Sequence, residues 1–140
     1  MPASSAAARR ATQSLPRRRP PIRGAGWLPA AEYNYSCPGV LKNAIDWVSR
    51  VPDQPFANKP VALQSASPGP LGGPRVQYHL RQMRIFLDAF TFNKPEIFVG
   101  NVKAKVDEAK GELTDGPTRA IIRQQLDGFA KFIARVGGKS

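Results

Sequence analysis

Residues 31–47 read AEYNYSCPGVLKNAIDW, and the rest of the chain is interpreted from this stretch. Its first half is rich in Asn, Ser, Pro and Gly, which favour turns and helix caps. Its second half repeats apolar residues at helical spacing, so a helix is predicted over residues 40–50. Ser36 or Cys37 is expected near the N-cap, and Pro38 suits the first helical turn. The stretch therefore predicts a polar loop that leads directly into a helix.

Such a loop presents backbone N–H groups, two phenol rings and an amide at one rim. A flat polar heterocycle could be hydrogen-bonded there by the main chain and stacked on an aromatic ring. The structural alternative is that Tyr33 and Tyr35 simply pack beside the start of the helix. Loop chemistry alone favours that alternative.

The run EYNYSCPGVLKNAIDW resembles the second flavin-binding loop of the NADPH-dependent FMN reductase family, and most of all its bacterial chromate and quinone reductases. The pattern there is P-E-Y-N-x-S-x-P-G-x-L-K-N-A-I-D-W. This chain departs from it at Ala31, where proline is expected, and carries Cys37 at a variable apolar position. The resemblance runs from Glu32 to Val136, about three quarters of the chain.

The resemblance implies a cofactor, FMN, and an electron donor, NAD(P)H. Glu32, Tyr33, Asn34 and Tyr35 would hold the edge of the flavin mainly through backbone groups, and Ser67 would support it from a neighbouring loop. The implied reaction is hydride transfer to FMN followed by reduction of a quinone or a chromate-like acceptor. Because the cofactor performs the redox step, no catalytic acid–base pair is predicted.

The resemblance also implies a homo-oligomer, either a dimer or a tetramer. Arg75 and Tyr78 would pair with Glu96 across subunits. A second interpretation makes the chain a non-catalytic remnant that self-associates through the helix of residues 75–90.

The positive charge of the chain is concentrated at its beginning. Net charge is +11 over 140 residues, and residues 1–26 hold six arginines and no acid. Few core-forming side chains occur there, so this Arg/Pro/Ala-rich segment is expected to be disordered. It resembles a transit peptide in composition, and Arg17, Arg18 and Arg19 could bind phosphates or an acidic membrane. A solvated tail or an altered N-terminus is favoured over both, and nucleic acid is not an expected partner.

The family's phosphate-binding segment has no counterpart before Glu32. Its pattern is a strand followed by S-x-R-x-x-S-x-N, and neither the strand nor the spacing occurs there. Losing two or three charge-assisted hydrogen bonds to phosphate would cost on the order of 3–8 kcal/mol. Weak FMN binding is therefore expected.

Residues 27–136 are predicted to form a partial flavodoxin-like domain, followed by a tail over 137–140. The fold class is α/β: the C-terminal portion of a flavodoxin-like parallel sheet with flanking helices, truncated. Strands are predicted at residues 61–64 and 96–99. Residues 27–31 could add a strand remnant, although Pro29 is expected to interrupt its ladder.

Two further helices are predicted at residues 75–90 and 117–135, the second capped by Thr114 or Asp115 and stopped by Gly137 and Gly138. Each shows one apolar stripe: Val76, Leu80, Met83, Leu87 and Phe90 in the first, and Ile122, Leu126, Phe129, Ile133 and Val136 in the second. Arg75, Tyr78, Arg81, Gln82 and Arg84 fall off the first stripe, on a face expected to be solvated.

One cysteine excludes an internal disulfide and favours a reducing, cytoplasmic setting. One histidine, His79, and one cysteine cannot assemble a metal cluster, so no metal is predicted and His79 is taken as structural. The longest apolar runs are too short for a transmembrane helix.

Overall fold

The computed structural model describes residues 25–136. The expectations for an Arg-rich N-terminal segment, for its possible phosphate or membrane contacts and for the 137–140 tail lie outside these residues. Within them the chain forms a parallel sheet flanked by three helices, so the predicted α/β class is confirmed.

Four short strands form the parallel sheet. They are β1 (Gly26–Ala30), β2 (Pro60–Ala66), β3 (Phe90–Thr91) and β4 (Ile97–Val99). β1 lies on one side of β2, and both β3 and β4 lie on its other side, one after the other along its length. A separate antiparallel pair, β5 (Val106–Asp107) and β6 (Glu112–Leu113), occupies a segment where neither a helix nor a strand is predicted from the sequence.

The expectation that Pro29 interrupts the first strand is wrong. β1 pairs with β2 over five residues, and Pro29 lies opposite Gln64 within that ladder. Among the described residues β1 has a neighbour on one side only. Proline is tolerated in such an edge strand because a missing N–H on the open side removes no ladder bond.

The ladder beside β2 is interrupted, and a helix side chain fills the interruption. Phe92 N donates to Val61 O at 2.9 Å, and pairing resumes only where Gln64 lies opposite Ile97. In between, Leu63 O accepts a hydrogen bond of 3.2 Å from Gln125 Nε2. Gln125 Nε2 also donates to Pro95 O at 2.8 Å, and Gln125 Oε1 accepts from Gln64 Nε2 at 2.8 Å. Gln125 thus replaces the missing strand contacts.

The three helices are α1 (Gly39–Val48), α2 (Pro74–Phe86) and α3 (Gly116–Val136). Pro38 occupies the N-cap position of α1, so Ser36 and Cys37 lie near the N-cap as expected, but α1 receives no side-chain cap. Asp115 caps α3 as predicted, accepting from Thr118 N at 2.9 Å. Hydrogen bonds from the Thr118 side chain and backbone lower the pKa of Asp115.

α1 and α2 pack on the same face of the sheet. The buried core there contains Ala30, Ile45, Leu63, Val76, Leu80 and Leu87. α3 reaches the sheet through Gln125, which contacts Gln64 of β2, a neighbour of Leu63 in the strand. Because adjacent residues of a strand point to opposite faces, α3 covers the other face.

Three side chains depart from the predicted helix faces. Arg84 is only 2% exposed, so it belongs to the buried side of α2 and not to a solvated face. Leu126 is 47% exposed, whereas its neighbour Gln125 is fully enclosed. Phe90, predicted to end the apolar stripe of α2, lies beyond the helix in β3.

No helix in residues 25–136 combines the length and apolarity needed to cross a membrane. The same residues contain no group of three or more His, Cys, Asp or Glu side chains placed to hold a metal ion.

Candidate functional site

A tight turn follows β1 and projects from the carboxyl end of the sheet. Tyr33 N donates to Ser36 O and Ser36 N donates to Tyr33 O, each at 2.9 Å. The two central residues, Asn34 and Tyr35, have φ of 48° and 66°. Two consecutive left-handed residues closed by this bond pair define a type I′ turn. Both tyrosine side chains are largely exposed, at 64% and 67%, so neither is a buried packing residue.

Glu32 anchors the start of this turn to the N-terminus of α2. Its Oε2 accepts from the backbone N–H groups of Arg75 at 2.9 Å and Val76 at 3.2 Å, and its Oε1 lies 3.2 Å from Arg75 Nη1. The N-cap residue of α2, Gly73, supplies no side-chain cap. A carboxylate at a helix N-terminus satisfies orphan donors and complements the helix dipole. Glu32 therefore acts through its side chain as a remote cap.

The side chains of Arg75 and His79, both in α2, contact the turn itself. The Arg75 guanidinium lies 3.7 Å from the centroid of the Tyr35 ring. His79 Nδ1 lies 2.7 Å from Ser36 Oγ. Three contacts thus join Glu32 and the turn to the first two turns of one helix, at Arg75 with Val76, again at Arg75, and at His79.

The loop after β2, residues 67–73, forms the second wall. Ser67 Oγ donates to Gly69 O at 3.1 Å, and Ser67 N donates to Val99 O at 3.0 Å. Gly72 has φ of 72°, and a Cβ there would lie 2.5 Å from the Phe98 carbonyl carbon. Only glycine permits this close approach of two backbones. Ser67 is therefore held by its side chain to its own loop and by its backbone to β4.

A cleft of about 410 Å³ lies at the carboxyl ends of three strands, and the two loops directly follow the ends of the first two of these strands. Its lining consists of Pro29, Ala30, Ala31, Gln64, Ser65, Ala66 and Val99. A groove of about 560 Å³ runs along α3 beside the β5–β6 hairpin, away from these strand ends. We place the candidate site in the smaller cleft, because ligands of open parallel sheets bind beyond the carboxyl ends of the strands.

The described residues fit the ring system of a flavin better than its phosphate. The main-chain amides of Asn34 and Tyr35 make no hydrogen bond to another described residue, so they remain available at the tip of the turn. The residues that line the cleft include no Lys or Arg, and nearby Arg75 is already bound to Glu32. The neighbouring turn offers edge donors and an aromatic surface to a flat heterocycle, and the residues that line the cleft supply no cation.

The structure places the sequence-predicted site residues on two loops. Tyr33, Asn34 and Tyr35 form the turn, and Ser67 begins the opposite loop. Sequence reasoning missed Arg75 and His79 as partners of the turn. The i, i+4 spacing of those two residues places them on one helix face, which was the available signal.

Within one chain, the three residues predicted for a subunit contact have different partners. Arg75 binds Glu32, whereas Tyr78 Oη lies 3.4 Å from Glu96 Oε2. Glu96 also pairs with Arg81 at 3.3 Å and with Lys94 at 3.4 Å. The contact across subunits stays a prediction.

Comparison with known proteins identifies relatives of this chain. The family model described as NADPH-dependent FMN reductase matches residues 29–104. Quinone reductase of Escherichia coli is 56% identical over 105 residues, covering 75% of this chain and 56% of that protein. An NAD(P)H-dependent FMN reductase of Pseudomonas aeruginosa is 47% identical over 127 residues, covering 89% of this chain and 68% of that protein.

A solved structure shares the fold. FerB, a flavoenzyme NAD(P)H:(acceptor) oxidoreductase from Paracoccus denitrificans, superposes with a TM-score of 0.70 at 31% identity. The match covers 79% of this chain and 61% of that one. The chain therefore spans little more than half the length of several of the proteins it matches.

Proposed function

Because the chain belongs to the NADPH-dependent FMN reductase family, we propose that it binds FMN and passes electrons from NAD(P)H to a quinone or a chromate-like acceptor. The observation that carries the proposal is the exposed turn of Tyr33–Ser36, which is held beside a cleft at the carboxyl ends of the strands. Quinone is the favoured acceptor, since relatives carry that activity in their names.

FMN, when bound, supplies the hydride and electron chemistry, so the protein's part is binding and orientation. The turn offers the free amides of Asn34 and Tyr35 to the polar edge of a ring. The Tyr35 ring, held by the Arg75 guanidinium, offers a fixed aromatic surface. The Glu32 carboxylate binds the N-terminus of α2, and the proposal assigns it no role in proton transfer.

The experiment is a titration of the full chain with FMN, followed by flavin fluorescence, with NADPH-dependent quinone reduction measured in parallel. We expect saturable binding and turnover. Tyr35→Ala should weaken FMN binding about 5-fold or more, because it removes the aromatic surface and its contact with the Arg75 guanidinium. Leu126→Ala is the matched control, since this exposed side chain lies on α3, away from the cleft. A chain with a folded far-UV spectrum and no FMN binding would overturn the proposal.

We also propose that the protein forms a homo-oligomer. Beside the Arg75, Tyr78 and Glu96 surface suggested by sequence, exposed apolar side chains occur at the ends of α1 and α2. They are Trp47 at 46% exposure, Val51 at 48%, Ile85 at 83% and Phe86 at 71%. Arg50 lies 5.6 Å from the Phe86 ring centroid and joins the two helix ends. Trp, Phe and Arg are enriched in protein interfaces.

A cytoplasmic location is part of the same proposal. The chain has one cysteine, half-buried Cys37, and so no pair that could form an internal disulfide. Co-fractionation of the native protein with soluble cytoplasmic markers would support this location, and recovery with membranes or secreted protein would contradict it.

A further inference from the structure

The turn of Tyr33–Ser36 has an unusual composition for its backbone conformation. Type I′ turns need two residues in the left-handed region, and glycine commonly takes the second position. Here that position holds Tyr35, with φ of 66°. A bulky side chain disfavours this conformation, and only the reciprocal bonds between Tyr33 and Ser36 close the turn internally. The turn therefore depends on contacts from outside it.

Those contacts come from one helix and differ in what they hold. The backbone of Arg75 and Val76 binds the Glu32 carboxylate, which precedes the turn. The Arg75 guanidinium lies over the Tyr35 ring but leaves the main chain of the turn untouched. Among the described residues of α2, only His79 hydrogen-bonds to Ser36, the residue whose N–H and C=O close the turn; the Ser36 hydroxyl also lies 4.0 Å from Sγ of its neighbour Cys37.

We propose that His79 is a positioning residue for the cofactor-binding turn. Its Nδ1 holds the Ser36 side chain at 2.7 Å and thereby keeps the closing residue paired with Tyr33. The amides of Asn34 and Tyr35 are then presented in one conformation to the flavin. The inference rests on the proposed function for its ligand, but the tie itself is a property of the free chain.

A serine hydroxyl both donates and accepts, so the bond forms with either neutral tautomer of His79. Asparagine can place an amide near the position of Nδ1 and restore the bond, whereas leucine cannot. His79→Leu, His79→Asn, Ser36→Ala and the double variant Ser36→Ala/His79→Leu therefore form the test set. A double-mutant cycle reports whether the two residues act through each other.

Two measurements are made on the full chain. The first is amide hydrogen exchange of Tyr33 and Ser36 without FMN. The second is the FMN dissociation constant, measured together with the midpoint of urea unfolding. We expect His79→Leu and Ser36→Ala each to speed exchange at both amides at least 10-fold and to weaken FMN binding 5- to 10-fold. The double variant should be no worse than either single variant, and His79→Asn should stay within 2-fold of the wild type.

Arg81→Leu is the matched control. Arg81 lies on the same helix and also makes polar ties, to Glu96 at 3.3 Å and to Asn93 at 2.6 Å, but it does not contact the turn. It should leave exchange at Tyr33 and Ser36 and the FMN dissociation constant within 2-fold.

The outcomes separate the two proposals. Unchanged exchange at Tyr33 and Ser36 in His79→Leu would overturn the role of His79, whatever the chain binds. Independent, additive losses from Ser36→Ala and His79→Leu would do the same, because no tie then joins them. Absence of FMN binding by the wild type, with faster exchange in His79→Leu, would overturn the proposed function and leave His79 as an anchor of the turn alone.

Discussion

Arg84 is a charged side chain enclosed on the buried side of α2, with 2% of its surface exposed. None of its three guanidinium nitrogens bonds to another described residue. Burial, with a smaller contribution from nearby Arg81, lowers the pKa of Arg84 to about 9. Below that pH the guanidinium is charged in the folded and unfolded chain alike, so its desolvation opposes folding in full.

Replacing Arg84 with methionine should stabilise the protein. An apolar side chain of similar length removes a buried charge without leaving a partner unpaired, and we expect a gain of about 1–4 kcal/mol in unfolding free energy at pH 7. The folded state has the lower pKa, so wild-type stability rises relative to the variant above pH 9. The gain at pH 10 should be smaller by roughly 1 kcal/mol. Urea unfolding at both pH values measures it.

Arg81→Met is the control for that substitution. The Arg81 guanidinium pairs with Glu96 and Asn93, so its loss should be neutral or destabilising. An Arg84→Met protein that is less stable than the wild type would show that the guanidinium makes a stabilising contact. A gain of the same size at pH 7 and pH 10 would contradict the lowered pKa.

The sequence could identify Glu32 but not the partner of its carboxylate. The family resemblance predicted a backbone contact to a flavin, which stays a prediction, and the carboxylate binds the start of α2, 43 residues away along the chain. Arg84 likewise sits at a helix position that periodicity assigned to solvent. Local patterns specify residue types and spacing, and they carry no information on which distant group a side chain will meet.

At the scale of the elements, α3 is oriented by a hydrogen-bonding demand of the sheet. The interrupted ladder beside β2 leaves Leu63 O and Pro95 O to be satisfied by Gln125. An unpaired buried carbonyl costs about 1–3 kcal/mol. This demand places Gln125 inside and leaves Leu126 on the surface.

Two opposite substitutions at these adjacent positions test that orientation. Gln125→Leu should lower the unfolding free energy by about 2–4 kcal/mol, because it strands two carbonyls and the Gln64 amide. Leu126→Gln should change the unfolding free energy by no more than about 0.5 kcal/mol, as surface substitutions usually do. Thermal or urea denaturation measures both. The reverse ranking would mean that α3 packs through its predicted stripe.

Most helices and strands were predictable because their apolar periodicity is strong. α1, α2, β2, β4 and α3 appear within a few residues of their predicted bounds. β3 and the β5–β6 hairpin were missed, since two-residue strands carry no readable pattern. The predicted stripe of α3 is correct at buried Phe129 but wrong at Leu126, where Gln125 is buried instead, because hydrophobicity alone cannot reveal a gap in a distant ladder.

At the scale of the whole molecule, four exposed apolar side chains occur at or just beyond the C-terminal ends of α1 and α2: Trp47, Val51, Ile85 and Phe86. Together they expose on the order of 450 Å², comparable to the largest patch on a typical monomer. One side of a standard protein interface buries about 800 Å². The patch could therefore supply the centre of a contact between two copies of this chain.

The variant Ile85→Ser/Phe86→Ser should lower the mass measured by light scattering at a fixed protein concentration, because it removes the most exposed half of the patch. Val40→Ser is the matched control, since Val40 is also highly exposed but lies at the opposite end of α1. A mass unchanged in the double variant but reduced by Tyr78→Ala would assign the contact to the Arg75, Tyr78 and Glu96 surface instead.

The Gln125 amide also makes the evolution of two distant parts of the chain depend on each other. It is needed only because the backbone between β3 and β4 leaves the neighbouring strand for a few residues. In a lineage where the length of the segment between β3 and β4 changed and the ladder became continuous, residue 125 could become apolar because its hydrogen bonds would no longer be needed. A lineage that lost the glutamine first would carry two stranded carbonyls until that segment changed. We therefore expect residue 125 and the length of the segment between β3 and β4 to change together, with the change in that segment coming before the loss of the glutamine.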